Sequence, residues 1–134
     1  MQRIHIHINV ANLDQSITFY QQLLGAQPTK VKADYAQWLL DEPAVNLAIS
    51  TRSRELGVSH LGLQAADSVA WQSLTAQTSG LGAGLQESNT TCCYAKSDKI
   101  WYQDPQGISW ECFYTKAQTQ EYGSAIKQPK LCCG

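Results

Sequence analysis

The chain has 134 residues, 43% of them hydrophobic and 16% charged, with a formal net charge of −1. That length predicts a single domain with its own hydrophobic core, and the near-neutral charge argues against a nucleic-acid partner, which would require a basic patch. No segment approaches the roughly 20 apolar residues that span a bilayer, and the N-terminus lacks an apolar signal segment, so we expect a cytoplasmic protein without membrane contact.

The first half of the chain is predicted to form a strand, a helix and three further strands. Residues 4–10 alternate between apolar and polar, which predicts a strand whose polar face carries His5 and His7. Asn12 is suited to cap a helix with apolar residues at helical spacing, and Gly25 is suited to end it. Strand-like runs follow at residues 30–31, 35–40 and 45–50.

The second half of the chain repeats this order. A strand at residues 58–64 carries His60, and Asp67 or Ser68 is suited to cap the helix that follows. His60 lies 55 positions after His5, and such self-similarity indicates an internal duplication. Further strand signals lie at residues 91–95, 99–103 and 108–114, with a proline- and glycine-containing turn at residues 104–107.

The duplicated unit resembles the vicinal oxygen chelate superfamily, which includes glyoxalase I, the bleomycin-resistance proteins and the extradiol dioxygenases. The matching segments are Ile4-His5-Ile6, residues 12–20, Leu24-Gly25, His60-Leu61-Gly62-Leu63, residues 104–107 and Trp110-Glu111-Cys112-Phe113. The resemblance implies an α+β fold in which duplicated βαβββ modules form a curved mixed sheet around a metal site.

The same resemblance implies how the chain is divided. Residues 3–116 would form one vicinal oxygen chelate domain, with module one at residues 3–51 and module two at residues 58–116. Residues 117–134 are polar and lack periodicity, so we expect a flexible tail that ends in cysteines. The two modules can pair within one chain or be exchanged in a homodimer, and the sequence does not choose between these arrangements.

In this superfamily the metal ligands lie on the first and last strands of each module, and the resemblance transfers this role to His5, His60 and Glu111. The fourth ligand would be a carboxylate, and the aligned residue is Asn46, which argues against a glyoxalase I activity. Two histidines and one carboxylate with open positions are typical of a non-haem Fe(II) site that activates oxygen. His7 is a candidate substitute ligand or a support for the ligands.

Four of the five cysteines form two adjacent pairs, Cys92-Cys93 and Cys132-Cys133. Adjacent cysteines form strained disulfides, and the missing signal segment and the odd count favour reduced thiols. Two nearby thiolates suit a soft metal ion or a trivalent metalloid. Strand neighbours point to opposite faces, so Cys92 and Cys93 can share one ligand only if their strand ends or bulges there.

The run Thr90-Thr91-Cys92-Cys93-Tyr94-Ala95, together with the terminal pair, resembles the Fe(II)-dependent carbon–arsenic lyases. The resemblance implies that the protein uses O2 to cleave the carbon–arsenic bond of trivalent organoarsenicals, such as methylarsenite or aromatic arsenicals, and releases arsenite. Cys92 and Cys93 would hold the arsenic beside the iron, with Tyr35 and Tyr94 as candidate pocket walls. Other divalent metals can replace Fe(II) at such sites. The terminal cysteines would deliver substrate, add a third thiolate or take no part.

Two other functional classes remain open at this point. The first is a protein that sequesters an antibiotic or a metal without turnover, although the intact ligand triad argues against it. The second is a ring-cleaving dioxygenase or a glyoxalase-like isomerase, in which the paired cysteines have no evident role. Cys112 and the tryptophans are interpreted as core residues.

Overall fold

The computed structural model describes residues 1–82 and 84–118. Its elements are β1 (Arg3–Asn9), α1 (Leu13–Leu24), β2 (Lys30–Lys32), β3 (Tyr35–Asp41), β4 (Ala44–Ser50), β5 (Gly57–Gln64), α2 (Ser68–Thr78), a 3-10 turn (Ser79–Leu81), β6 (Leu85–Cys92), β7 (Ala95–Gln103) and β8 (Ser109–Gln118). Each half has the order βαβββ, and the predicted α+β class is confirmed. The greater part of the predicted tail, residues 119–134, lies outside the described residues.

The eight described strands form one mixed sheet in the order β2-β3-β4-β1-β5-β8-β7-β6. Within each half, the first strand pairs in parallel with the last, as β1 does with β4 and β5 does with β8. The two halves join where β1 pairs antiparallel with β5. This arrangement places the two first strands at the centre of the sheet.

Both helices begin at residues whose side chains accept a hydrogen bond from the first turn. Asn12 Oδ1 accepts from the Gln15 amide at 2.9 Å, and Asp67 Oδ1 accepts from the Ala70 amide at 2.8 Å, so Asp67 rather than Ser68 caps α2. Gly25 ends α1 with φ of 66°, a conformation that glycine adopts without steric cost.

The helices pack against the apolar face of the sheet. α1 covers a core around Trp38 and Ile49, and α2 covers a second core around Leu74 and Cys112. The opposite face carries buried polar side chains instead: His5, His7, Asn9, Asn46, Ser50, His60, Gln64, Lys99 and Glu111. Because strand residues alternate between faces, the same strands supply an apolar core on one side and a polar centre on the other. No helix of the described region is long and apolar enough to cross a membrane.

The sheet curls so that its two outer hairpins meet. Tyr94 lies in the turn between β6 and β7, and its hydroxyl donates a hydrogen bond to Asp34 Oδ1 at 2.5 Å. Asp34 lies in the turn between β2 and β3. The rings of Tyr35 and Tyr94 are 5.6 Å apart. Hairpins at opposite ends of the sheet order are therefore in contact, on the side of the sheet that carries the buried polar residues.

The strand predicted at residues 91–95 is interrupted by a hairpin turn. β6 ends at Cys92, which pairs with Ala95, and Cys93 and Tyr94 form the two-residue turn with φ of 54° and 61°. Such a turn normally carries glycine or asparagine, and cysteine and tyrosine do not indicate a turn. β6 also begins earlier than predicted, at Leu85, because its first residues are too polar to show a strand period.

Candidate metal and thiol site

Three side chains from different strands meet on the polar face of the sheet. His5 Nε2 and His60 Nε2 lie 3.2 Å apart, and Glu111 Oε1 lies 3.3 Å from each of them. All three side chains are buried. Because β1, β5 and β8 are adjacent in the sheet, the structure brings together the three residues that were proposed as metal ligands.

The Nδ1 atoms of the two histidines form hydrogen bonds with groups other than Glu111. His5 Nδ1 lies 3.0 Å from the Asn46 carbonyl oxygen; since a carbonyl only accepts, Nδ1 carries the proton and Nε2 carries a lone pair. His60 Nδ1 lies 3.0 Å from the Ser59 hydroxyl. Burial lowers the pKa of His5 to about 4, although the Glu111 carboxylate opposes the shift. The His5 ring is therefore neutral at pH 7, the state in which imidazole binds metals.

Glu111 is held in place by a buried lysine that sequence analysis did not identify. Lys99 Nζ donates to Glu111 Oε2 at 2.5 Å, which leaves Oε1 facing the histidines. Burial acts to raise the pKa of the Glu111 carboxyl, but attraction to Lys99 and the hydrogen bond from His60 outweigh burial and lower the pKa. Gly62 pairs with Glu111, and a Cβ there would collide with the Glu111 carbonyl oxygen. Close strand packing and the lysine together fix an anionic carboxylate.

The three ligand atoms fit a divalent metal ion. A cation bonded to nitrogen and oxygen at about 2.0–2.2 Å keeps neighbouring ligand atoms about 3.0–3.4 Å apart. The separations of 3.2 and 3.3 Å match this spacing. Neutral imidazole nitrogens with a carboxylate oxygen are also a donor set that Fe(II), Zn(II) and related ions accept. His5, His60 and Glu111 would hold the ion.

His7 lies on the same face of β1 as His5. Its ring stacks on His60 with centroids 5.2 Å apart, and its Nε2 atom is 2.9 Å from the Ser50 hydroxyl. Its Nδ1 atom is buried and has no hydrogen-bond partner within the described region. Ligand atoms of His5, His7 and His60 lie within 4.8 Å of one another. The geometry therefore accommodates both expected roles of His7, as a substitute ligand and as a support.

Both ends of the Asn46 amide are bonded to other amides. Its Oδ1 accepts from Gln37 Nε2 at 3.0 Å, and its Nδ2 donates to Gln64 Oε1 at 3.0 Å. This chain of amides joins β3, β4 and β5 across the polar face. The Asn46 side chain is therefore committed to the scaffold.

The strand ladders correct the expected position of the fourth ligand. In module two, Glu111 pairs with Gly62, the residue two positions after His60. In module one, the residue two positions after His5 is His7, which pairs with Ala48. Ala48 is therefore the counterpart of Glu111. The expected equivalence of Asn46 and Glu111 was wrong. The second module has more residues between its first and last strands than the first module has. The 55-residue offset that relates the first strands therefore does not relate the last strands, and the sequence alone does not show their register.

A small cavity of about 30 Å³ lies next to the candidate ligands His5 and Glu111. Its lining combines His5, Glu111 and Lys99 with Tyr35 and Cys93. Tyr35 thus lies on the wall, as proposed.

Tyr94 lies at the rim instead of among the cavity-lining residues. Its hydroxyl bonds to Asp34, and Lys32 Nζ lies 5.4 Å from its ring centroid. Desolvation and the hydrogen bond to Asp34 raise the pKa of Tyr94 to about 12. Its ring lies 5.6 Å from that of Tyr35, which does line the cavity.

The paired cysteines lie where β6 ends, so the opposite-face constraint on strand neighbours does not apply to them. Cys93 is disulfide-bonded, whereas reduced thiols were expected; a bridge requires only a second sulfur within bonding reach. Cys93 must therefore be reduced before it can act as a thiolate. Cys112 is free and buried, as expected of a core residue. Cys132 and Cys133 lie outside the described residues.

Lys99 is a site residue that could have been found from the sequence. Residues two apart on a strand share a face, and Ser97, Lys99 and Trp101 are the buried series of β7. A lysine on the same face as a core tryptophan requires a buried anion, and Glu111 is the anion on the neighbouring strand.

Residues 2–112 match the model of the Glyoxalase/Bleomycin resistance protein/Dioxygenase superfamily. The trivalent organoarsenical cleaving enzyme of Bacillus sp. strain MD1 is 42% identical over 138 residues, which cover 99% of this chain and 83% of that protein. The probable trivalent organoarsenical cleaving enzyme of Bacillus subtilis strain 168 is 38% identical over 124 residues, which cover 90% of this chain and 84% of that protein. These names confirm the resemblance to the carbon–arsenic lyase group.

Among solved structures, the Mn(II)-bound glyoxalase from Novosphingobium aromaticivorans superposes with a TM-score of 0.59 at 18% identity, over 90% of this chain and 43% of that chain. At that identity the likeness concerns the fold alone. The matched length, the sequence relatives and the paired βαβββ halves lead to one conclusion. The chain belongs to the glyoxalase/bleomycin resistance protein/dioxygenase superfamily.

Proposed function

We propose that the protein cleaves the carbon–arsenic bond of trivalent organoarsenicals with Fe(II) and O2, and releases arsenite. The observation that carries this proposal is that Cys93 lines the same cavity as His5 and Glu111. A thiol beside a histidine–carboxylate metal site has no evident role in ring cleavage or isomerisation, whereas trivalent arsenic binds thiolates. The names of the two Bacillus relatives give the same activity.

His5, His60 and Glu111 would hold Fe(II) through one atom each and leave further positions open. When bound, Fe(II) supplies the redox chemistry that allows O2 to react with an organic substrate. Lys99 keeps the Glu111 carboxylate turned toward the histidines through its bond to the second oxygen. The side chains of His5, His60 and Glu111 are buried, and burial strengthens the interactions of charged groups that are already oriented.

Cys92 and Cys93 would hold the arsenic atom after the disulfide at Cys93 has been reduced. A thiol reductant supplies the two electrons and two protons that this step needs, which agrees with a place in the reducing cytoplasm. Each thiol then displaces one hydroxyl group of methylarsenite as water and forms an arsenic–sulfur bond. Holding the substrate beside the metal replaces a random encounter, an effect worth up to about 7–11 kcal/mol of the barrier.

The overall reaction balances without a further reductant. Methylarsenite and O2 give arsenite and formaldehyde, with one oxygen atom going to arsenic and the other to carbon. The carbon–arsenic and oxygen–oxygen bonds break, the methyl carbon is oxidised, and O2 accepts its electrons. Arsenic stays trivalent throughout, so it can remain bound to the thiolates until hydrolysis by water releases it.

The test is anaerobic reconstitution of reduced protein with Fe(II), followed by methylarsenite in air. Arsenite is measured by element-specific chromatography and formaldehyde by derivatisation. Cys92→Ser and Cys93→Ser are each expected to abolish turnover while Fe(II) binding is retained. Cys112→Ser is the matched control, because Cys112 lies in the core on the other face of the sheet.

Two outcomes would contradict the proposal. Full turnover in both Cys92→Ser and Cys93→Ser would favour a ring-cleaving dioxygenase, and a catechol substrate would then be tested directly. Stoichiometric arsenical binding without any arsenite or formaldehyde from the Fe(II)-loaded protein would favour sequestration without turnover.

A further inference from the structure

The two halves of the sheet differ at one equivalent position. The strand ladders make Ala48 of module one the counterpart of Glu111 in module two. Partners in a parallel ladder point to the same face, so the Ala48 side chain points to the side of the sheet that carries His5 and His7. A methyl group therefore occupies the place where the other half presents its metal-binding carboxylate.

The residues around Ala48 include Cys93, the cysteine of the candidate site. Ala48 is fully buried and packs with Tyr35, and Cys93 and Tyr94 pack against this pair. Tyr35 and Cys93 also line the cavity beside His5. The hairpin tip with Cys93 thus occupies space that a longer side chain at Ala48 would need.

We propose that Ala48 is a specificity-determining residue. Its small side chain keeps a fourth protein ligand away from the metal and leaves room for the Cys93 sulfur and the arsenic atom that Cys93 binds. This inference rests on the proposed carbon–arsenic lyase function. According to this inference, the residue at position 48 decides between two kinds of site. A carboxylate there would close the site with a fourth ligand, whereas alanine leaves it open next to a thiol.

Asn46, the neighbouring residue on the same face of β4, does not compete for this role. Both ends of its amide are engaged by Gln37 and Gln64, and its ladder partner is His5 itself. A carboxylate at Ala48 would stand in the same relation to His5 as Glu111 has to His60.

Two isosteric variants of Ala48 separate the effect of a new metal ligand from the effect of filling the space next to Cys93. Ala48→Glu supplies a carboxylate and Ala48→Gln supplies the same shape without the charge. Affinity for Co(II) is measured by anaerobic titration, and arsenical capture by the number of phenylarsenite molecules retained per reduced, metal-free chain after gel filtration. Ala48→Glu is expected to increase Co(II) affinity by at least about tenfold. Residues that only hydrogen-bond to metal ligands already change metal affinity by about that factor, and a direct ligand should do no less. Ala48→Gln is expected to leave Co(II) affinity within about twofold, and both variants are expected to retain little phenylarsenite.

A buried glutamate can prevent folding, so Ala48→Val provides a second variant. It adds two methyl carbons in apolar surroundings, and it is expected to weaken phenylarsenite retention while Co(II) affinity stays unchanged. Parental retention of phenylarsenite by both Ala48→Val and Ala48→Gln would overturn the proposal. So would equal tightening of Co(II) by the Gln and Glu variants.

The control that separates this inference from the proposed function is the parent protein. If the reduced parent does not retain phenylarsenite, or if Cys93→Ser retains as much as the parent, the proposed function itself fails. If the parent retains it through Cys93 and the Ala48 variants do so equally, only the role of Ala48 is refuted.

Discussion

Replacing Lys99 by methionine should destabilise the metal-free protein strongly. Lys99 and Glu111 are each 2% exposed, and their charged atoms lie 2.5 Å apart. Methionine keeps the apolar part of the lysine side chain but leaves the Glu111 carboxylate without its cation. Removing one partner of a buried ion pair typically costs about 3–5 kcal/mol, a large share of the roughly 5–15 kcal/mol that stabilises a domain.

A surface ion pair of the same sheet provides the matched control. Lys116 Nζ lies 3.1 Å from Asp98 Oδ1, with 34% and 20% of the two side chains exposed. Because solvent screens such a pair, Lys116→Met should cost no more than about 1 kcal/mol. The assay is urea unfolding at pH 7 in the presence of a chelator, with the free energy of unfolding compared across the parent and both variants.

Two further measurements sharpen this prediction. Co(II) binding should restore part of the stability of Lys99→Met, because the ion supplies a cation next to Glu111. The double variant Lys99→Met/Glu111→Gln should be more stable than Lys99→Met alone, since no unpaired charge remains buried. The reasoning is refuted if Lys99→Met costs no more than Lys116→Met, or if the double variant is the less stable of the two.

Three other predictions concern the same strands. Gly62→Ala should destabilise the protein by about 1–3 kcal/mol and weaken Co(II) binding, because the added Cβ meets the Glu111 carbonyl oxygen; unchanged Co(II) affinity would contradict this. Tyr94→Phe should raise the rate of hydrogen exchange in the turn that contains Asp34, since their hydroxyl–carboxylate bond is lost, and an unchanged exchange rate would argue against a contact in solution. Cys112 should resist iodoacetamide at pH 8 in the native protein and react after denaturation, because burial, with a smaller contribution from Glu111, raises the pKa of its thiol to about 11; rapid native labelling by mass spectrometry would refute it.

The parts of the fold that depend on local pattern were predicted from the sequence. The alternation around His5 and His60, the cap at Asn12 and the stop at Gly25 depend only on neighbouring residues. The resemblance added Glu111 and the curved mixed sheet. These features were accessible because strand period and helix caps leave their marks within about ten residues, and the duplication repeats those marks 55 residues later.

Two features of the structure were not predicted from the sequence. The hairpin turn at Cys93 and Tyr94 uses a conformation that these residue types rarely adopt, so local preference pointed to a strand. The equivalence of Ala48 and Glu111 depends on hydrogen-bond register between strands about 40–50 residues apart, and a register shift of two residues leaves the period of the pattern unchanged.

The proposed metal ligands and Cys93 occupy structurally different kinds of position. His5, His60 and Glu111 lie inside central strands, where ladder bonds on both sides fix the backbone. Cys93 lies on a two-residue turn at the tip of an outer hairpin, outside the ladder that pairs Cys92 with Ala95, and its neighbour Tyr94 contacts Asp34 and Tyr35. If the proposed function holds, the central strands fix the metal-binding side chains and the hairpin tip presents the thiol to them. On this view, replacement of Cys93 would change the substrate class while the backbone of His5, His60 and Glu111 stays fixed, which gives a physical reason for the many activities found on one architecture.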